Sequence, residues 1–521
     1  MSRSRHRRPA VRPWRGWRCV LPGALLLLAL AVPAAGRAPA PAPSVLTYHA
    51  DAARTGHYLA PGLTWAAAAD VHRDRGFDGR VPGAVYAQPL FWNPPGGGPG
   101  WVIVATEHNV VMALDAVTGR PVWQTRLGTP VPAAALPCSN IDPLGITGTP
   151  VIDPAAGAIY LDAMISGPRG PQQEVFGLRL ADGAVLPGWP IDVHTALAAR
   201  GIPFVTANQN QRTALALLDG QVFLGYGGMA GDCGEYHGMV LGVATASPHL
   251  TAAWVTRGKK GGIWSPGGIS VAGGRLFFAI GNTDPPDEPV GPHPAASWDD
   301  GEGVFRETPA LPRGADKRDF FAPGDYRTLN TQDLDLGGTV PVPIDLPDGT
   351  RRLVAMGKDG KAYLLDRSDL GGIGGALAVR QVAAGPIITA PVVYRSGGQV
   401  LLAYRAPAVL CPDGSSTTAV EALAVSAAGL RPVWCAPLDG RGIPIVTTSG
   451  VDDADPIVWV AGAEGDGRLH GFRGDTGRPV FTSRAPLPGL RHFVTLLVAG
   501  GRIYLAGDGR VFAFTWGGAA R

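Results

Sequence analysis

The 521-residue sequence predicts an all-β fold, an eight-bladed β-propeller of four-stranded antiparallel blades closed by an N-terminal strand, with seven blades as the alternative count. Three observations predict it. A strand–turn–strand pattern recurs about every 60 residues. With 74 glycines, 49 prolines and only 17% charged residues, the chain is too turn-rich for a helical protein. The last copy of the pattern stops one strand short, as a ring closed by its own N-terminus would. A four-stranded sheet has two unprotected edges and cannot bury both faces alone, so such units gain by packing face to face around an axis.

In chain order, a leader comes first. Seven arginines and no acid occupy the first 18 residues, and Val20–Val32 (VLPGALLLLALAV) is an apolar run with a cleavage site at Val32-Pro33-Ala34. Residues 1–34 therefore read as a secretory signal peptide, too short for a comfortable membrane span. The expected location is secreted or periplasmic, without membrane insertion after cleavage. A Pro/Ala-rich spacer follows over 35–44, and 45–521 reads as one propeller domain. Without the leader's arginines, 38 of the 45 basic residues face 42 acidic ones, so the basic balance belongs to the leader. No Lys/Arg stripe with interleaved aromatics remains, which argues against nucleic acid as a partner.

The sharpest repeat pairs VIVATEHNVVMALDAVTGRPVW at 102–123 with VWVAGAEGDGRLHGFRGDTGRPVF at 458–481. Each unit reads as strands of alternating apolar residues joined by polar and Gly-rich turns, with a closing aromatic such as Trp123, Trp189, Trp254 or Trp434 as the wedge between blades. Seven units run from 85 to 484. An eighth, at 492–516, has three strands, and SVLTYHADAARTG at 44–56 is free to supply the fourth. Segments 129–147 and 285–330 read as long loops. Four cysteines remain after the leader, Cys138, Cys233, Cys411 and Cys435. An even count in an exported chain predicts two disulfides, with 138–233 and 411–435 favoured among three pairings and zinc as the competing reading.

The run Ala113-Leu114-Asp115 to Thr118-Gly119 and Trp123 resembles the pyrroloquinoline quinone (PQQ) repeat of quinoprotein alcohol dehydrogenases, and the resemblance spans nearly the whole mature chain. Non-catalytic scaffolds, including the outer-membrane assembly lipoprotein of Gram-negative bacteria, are similar at this level. Four stretches carry a finer resemblance: GGIW at 261–264, RLFFAIGNTDPP at 275–286, QDLDLGG at 332–338 and RRLVAMGKDGKAYLLDR at 351–367. They imply Trp264 as the floor beneath a quinone, Asn282 as a calcium ligand, Asp335 as catalytic base and calcium ligand, and Lys358 beside the quinone carbonyls. Those residue types suit alcohol oxidation, which needs a base, a hard cation and a flat apolar platform. The chain departs from the family where a calcium-binding Glu is expected, since an ungapped comparison puts Cys233 there. It also lacks the vicinal cysteine pair and any C-x-x-C-H haem motif.

Each residue also has a structural reading. Asp333 and Asp335, two apart, would share one face of a strand or else cap loop amides. Trp264 could pack blades, Lys358 could be a solvated hairpin lysine, and Asn282 could close an Asx turn. Two functions follow. One is an exported quinoprotein-type oxidoreductase acting on an alcohol or sugar with PQQ and Ca²⁺ but no haem. The other is a non-catalytic propeller that offers its loop face to a protein or glycan partner. A monomer is expected in both cases.

Overall fold

The computed structural model describes residues 16, 43–284, 298–313 and 316–517, so the expected leader and most of the spacer lie outside the described residues. Residues 41–521 form one compact unit. Its strands make eight antiparallel blades. Blade I comprises Leu90–Trp92, Trp101–Ala105, Val110–Asp115 and Pro121–Arg126, and blade II comprises Val151–Asp153, Ala158–Gly167, Gly170–Arg179 and Ile191–Asp192. Blade III runs from Ala216–Leu218 to Leu250–Val255, blade IV from Ser270–Ala272 to Phe320–Ala322, and blade V from Val342–Asp345 to Ala378–Gln381. Blades VI and VII span Val392–Ser396 to Leu430–Pro437 and Ile445–Thr448 to Pro479–Thr482, while blade VIII holds Leu496–Ala499, Arg502–Gly507 and Arg510–Thr515.

Burial follows from this stacking. A middle strand is covered on both faces by neighbouring blades, so Ile457–Ala461 is buried at every residue. An outer strand has one wet face, and Leu250–Val255 alternates accordingly. The apolar clusters lie between blades: Ile103, Val111 and Trp123 of blade I pack with Ile159, Leu161 and Phe176 of blade II. The closing tryptophans reach across these seams, since the Trp123 indole donates to the Leu180 carbonyl at 3.1 Å and that of Trp434 to Gly474 at 2.7 Å.

Ring closure differs in detail from the expectation. The fourth strand of blade VIII does come from the N-terminal side, but from His72–Arg73 and Gly79–Arg80, which pair antiparallel with Arg510–Thr515. Gly119 makes room for it, because a Cβ there would lie 2.6 Å from the Gly79 nitrogen. Segment 44–56 instead crosses the central channel. Carbonyls of Leu46, Ala52, Thr55 and Gly56 accept from Ile152, Val271, Val393 and Val446, on the innermost strands of blades II, IV, VI and VII. His57–Leu59 then runs parallel to Ile445–Thr448. The hydrogen-bonding edges of the inner strands would otherwise face the channel unpaired, and the plug satisfies them.

The plug is locked by Arg54, which is fully buried. Its guanidinium donates to the Ile269, Tyr48 and Leu215 carbonyls at 3.0, 3.1 and 2.8 Å and to the Thr47 hydroxyl. Segment 285–330 is not one loop, because it holds two strands of blade IV, Val304–Glu307 and Phe320–Ala322, and the helix Tyr326–Gln332. Charged residues such as Arg306 and Glu307 hid the strand signal. Cys138 is bonded to Cys233 and Cys411 to Cys435, with Cα atoms 6.1 and 5.6 Å apart.

Candidate functional site

Every innermost strand starts at the same end of the channel, and at that end the connections between blades meet the turns between second and third strands. Trp264 precedes the first strand of blade IV and Asp335 that of blade V, while Asn282 and Lys358 follow the second strands of the same two blades. The four positions therefore converge. Below them the plug closes the channel, with Tyr48 packed among Ala214, Val340, Ala390 and Phe493. Trp264, Lys358 and Arg212 are partly exposed at this loop-side mouth of the channel, the funnel, with the plug beneath.

Asp335 is the centre of the cluster. Its side chain is 5% exposed. One carboxylate oxygen accepts from the Asn282 backbone N–H at 2.8 Å, and the other forms an ion pair with Lys358. The Lys358 ammonium also donates to Asp333 at 3.0 Å and lies 5.4 Å from the centroid of the Trp264 ring. Gly281 permits the approach, since a Cβ there would meet the Trp264 indole nitrogen at 3.1 Å and the Asp335 carboxylate closer still. Burial raises the Asp335 pKa above the usual carboxylate range despite Lys358, which pulls it down. Burial also works against the Lys358 charge, but Asp335 and Asp333 outweigh it and its pKa rises.

Asp333 and Asp335 do not share a strand. Asp333 is the left-handed C-cap of the helix Tyr326–Gln332, and Asp335 leads into the tight turn Leu336–Gly338. They meet because both reach the same ammonium. Asn282 contributes its backbone N–H to this contact rather than its carboxamide.

The sequence points to neither Glu302 nor Arg212, and to Glu107 only beside His108, a metal pairing that no ligand spacing supports. Glu302 is buried beside Asp335 and accepts from the Leu336 N–H at 2.5 Å; burial, with Asp335 next to it, holds its carboxyl well above the usual range. Glu107 has the same role in blade I, accepting from the Gly145 N–H at 2.7 Å, with burial raising it to about 7. Both glutamates sit between the second and third strands of their blade and pin the segment entering the next one. Comparing that loop across repeats could have found them. Arg212 precedes blade III, with its guanidinium carbon 5.9 Å from the Trp264 centroid and 5.4 Å from that of Phe493.

The fit of a calcium ion can be judged from the donors. Ca²⁺ takes about six to eight oxygen ligands. Here one oxygen of Asp335 is held by a backbone N–H and the other by an ammonium. The position where a Glu was expected is half of the 138–233 disulfide. Its neighbours are engaged as well, Asp232 accepting from the Tyr236 hydroxyl at 2.6 Å and Glu235 pairing with Lys259 at 2.7 Å. Among the described residues no three His, Cys, Asp or Glu side chains group as a metal site. The donor set does not fit calcium. The flat, partly exposed Trp264 with cations above it does suit a planar organic molecule.

Comparisons with known proteins agree with the fold. A PQQ-repeat family model, described as outer membrane protein assembly factor BamB, matches residues 64–186. No curated protein matches the sequence. Among solved structures, quinohemoprotein alcohol dehydrogenase from Comamonas testosteroni is similar with a TM-score of 0.63 at 14% identity, covering 92% of this chain and 81% of that one. The quinohemoprotein alcohol dehydrogenase ADHIIG from Pseudomonas putida HK5 gives 0.63 at 12% identity over 92% and 81%. A europium-containing methanol dehydrogenase gives 0.56 at 14% identity over 89% and 90%. Identities this low speak for the fold alone. The sequence match stays within blade I and much of blade II, while the structural likeness runs around the ring, so the chain is an eight-bladed β-propeller that is similar to a PQQ-repeat model over residues 64–186.

Proposed function

We propose that this protein is an exported, ligand-binding propeller that holds a small organic molecule in the loop-face funnel, with Trp264 as its platform. The observation that supports this is the meeting of Trp264, Asp335 and Lys358 around the Gly281 cradle, above a channel closed by its own N-terminal segment. An aromatic surface with a few convergent polar groups is a common feature of small-molecule sites. PQQ is the first ligand to test, by likeness to the quinohemoprotein dehydrogenases. Calcium-assisted oxidation of an alcohol or sugar is not supported by the donors, because Asp335 is spent on Lys358 and a backbone amide. The leader and the two disulfides favour a periplasmic or secreted location, and among the described residues no helix is long and apolar enough to cross a membrane.

Titration calorimetry of the purified chain with PQQ, followed by dye-reduction assays with alcohols and sugars, tests the proposal. Saturable binding at one site, weakened in W264A, with no dye reduction, is the expected result. A folded protein that binds no small molecule would favour the second reading, a monomeric scaffold for a protein or glycan partner, which the BamB-type family match over residues 64–186 supports.

A further inference from the structure

Arg212 stands out among the charged groups of the funnel. It is only partly exposed, and among the described residues its guanidinium makes neither a hydrogen bond nor an ion pair, resting instead between the Trp264 and Phe493 rings. Its neighbours do not neutralise it. Asp232 is engaged by the Tyr236 hydroxyl at 2.6 Å, and Glu107 is buried, hydrogen-bonded to Gly145 and raised to about 7, which makes it a poor counter-ion at neutral pH and below. By contrast, Lys358 is fully compensated by Asp333 and Asp335.

We infer that the funnel takes a flat organic carboxylate without a divalent cation, Arg212 being the anchor for the ligand's carboxylate and Lys358 standing against Asp335 where a metal ion would otherwise sit. This deepens the funnel reading above and rests on it. A guanidinium offers a planar fork that matches a carboxylate with two parallel hydrogen bonds. A neutral ligand stacked on Trp264 would strip water from Arg212 and return nothing, whereas a carboxylate supplies the missing partner. A calcium ion would have to displace the Lys358 ammonium from the same Asp335 oxygen, and beyond Glu302 no third acid, His or Cys side chain groups with Asp335 among the described residues to complete its shell.

Two probes separate these claims: PQQ, a tricarboxylate, and its uncharged trimethyl ester. Each is titrated into the full mature chain by tryptophan fluorescence and calorimetry, with either excess EDTA or calcium present. PQQ is expected to bind equally in both buffers, and the ester at least about tenfold more weakly. R212Q should bring PQQ down to the ester's affinity, with R212K in between. Should R212Q fail to fold by circular dichroism, the acid-to-ester ratio in the wild-type chain still decides the anchor. Equal affinity for acid and ester overturns the anchor, and binding that requires calcium overturns the cation replacement, while both results leave the funnel reading standing. Absence of binding by either probe overturns the inference and that reading together.

Discussion

The Lys358 ammonium bridges Asp333 and Asp335, so one cation from a turn of blade V holds two acids of the segment that enters that blade. The pair decides the site's chemistry, because it uses the carboxylate oxygen that a metal or a substrate hydroxyl would need.

Breaking that pair should be costly. K358M leaves the buried Asp335 carboxylate without its counter-charge and is expected to destabilise the fold by about 3–5 kcal/mol in urea denaturation. The double variant K358M/D335N should recover most of the loss, since the buried charge has gone. A double variant no better than K358M would mean that Lys358 acts through packing instead.

Arg54 should matter as much, far from the candidate site. Replacing it by methionine leaves the Ile269, Tyr48 and Leu215 carbonyls without their donor, and each buried acceptor left unsatisfied costs about 1–3 kcal/mol. R54K should be nearly as damaging, because one ammonium cannot span the three directions the guanidinium serves. Limited proteolysis would detect release of the plug as early cleavage within 44–60.

Stability should fall from about pH 4.5 to about 8, most steeply near pH 6.5–7. Asp162 is buried, accepts from Tyr226 and Gln173 at 2.7 Å each, and is raised to about 8 by burial; Glu107 and Glu421 are raised to about 7. A group raised in the folded state contributes stability that is present at acid pH and lost as pH climbs through the folded pKa. Buried His49, lowered to about 3, acts in the opposite sense and loses stability below its unfolded value near 6.5, which offsets part of the fall below that pH. D162N should flatten the melting-temperature profile above pH 6.5, and an unchanged slope would exclude Asp162 as its source.

The two disulfides should leave none of Cys138, Cys233, Cys411 and Cys435 titratable as a thiol in the native chain. Removing the 411–435 bond, whose partners are 24 residues apart, with C411S/C435S should cost about 3 kcal/mol by loop-closure entropy. Thiol titration before and after denaturation checks the first point, and denaturant midpoints check the second.

Strand periodicity made the blades legible, because each strand lies between two flanking surfaces and shows it in its own residues. Val304–Glu307 escaped notice because its partners cover charged residues, and side chains such as Arg306 find their acceptors only in the assembled sheet. The four candidate residues could be named from local motifs. Glu107 and Glu302 emerge only when the loop between second and third strands is compared across repeats, and nothing beside Arg212 in sequence signals a role.

What the sequence by itself determined is therefore local and repetitive: the propeller, its eight units, and an N-terminal contribution to closure. Apolar alternation and turn chemistry act within a few residues and need no distant partner. Only the tertiary structure decided which N-terminal segment completes blade VIII, since 72–80 pairs with its last strand while Arg54 holds 44–56 among the inner strands. It alone decided that Lys358 pairs with Asp335, because that contact joins two loops separated in the chain and depends on the closeness that Gly281 permits.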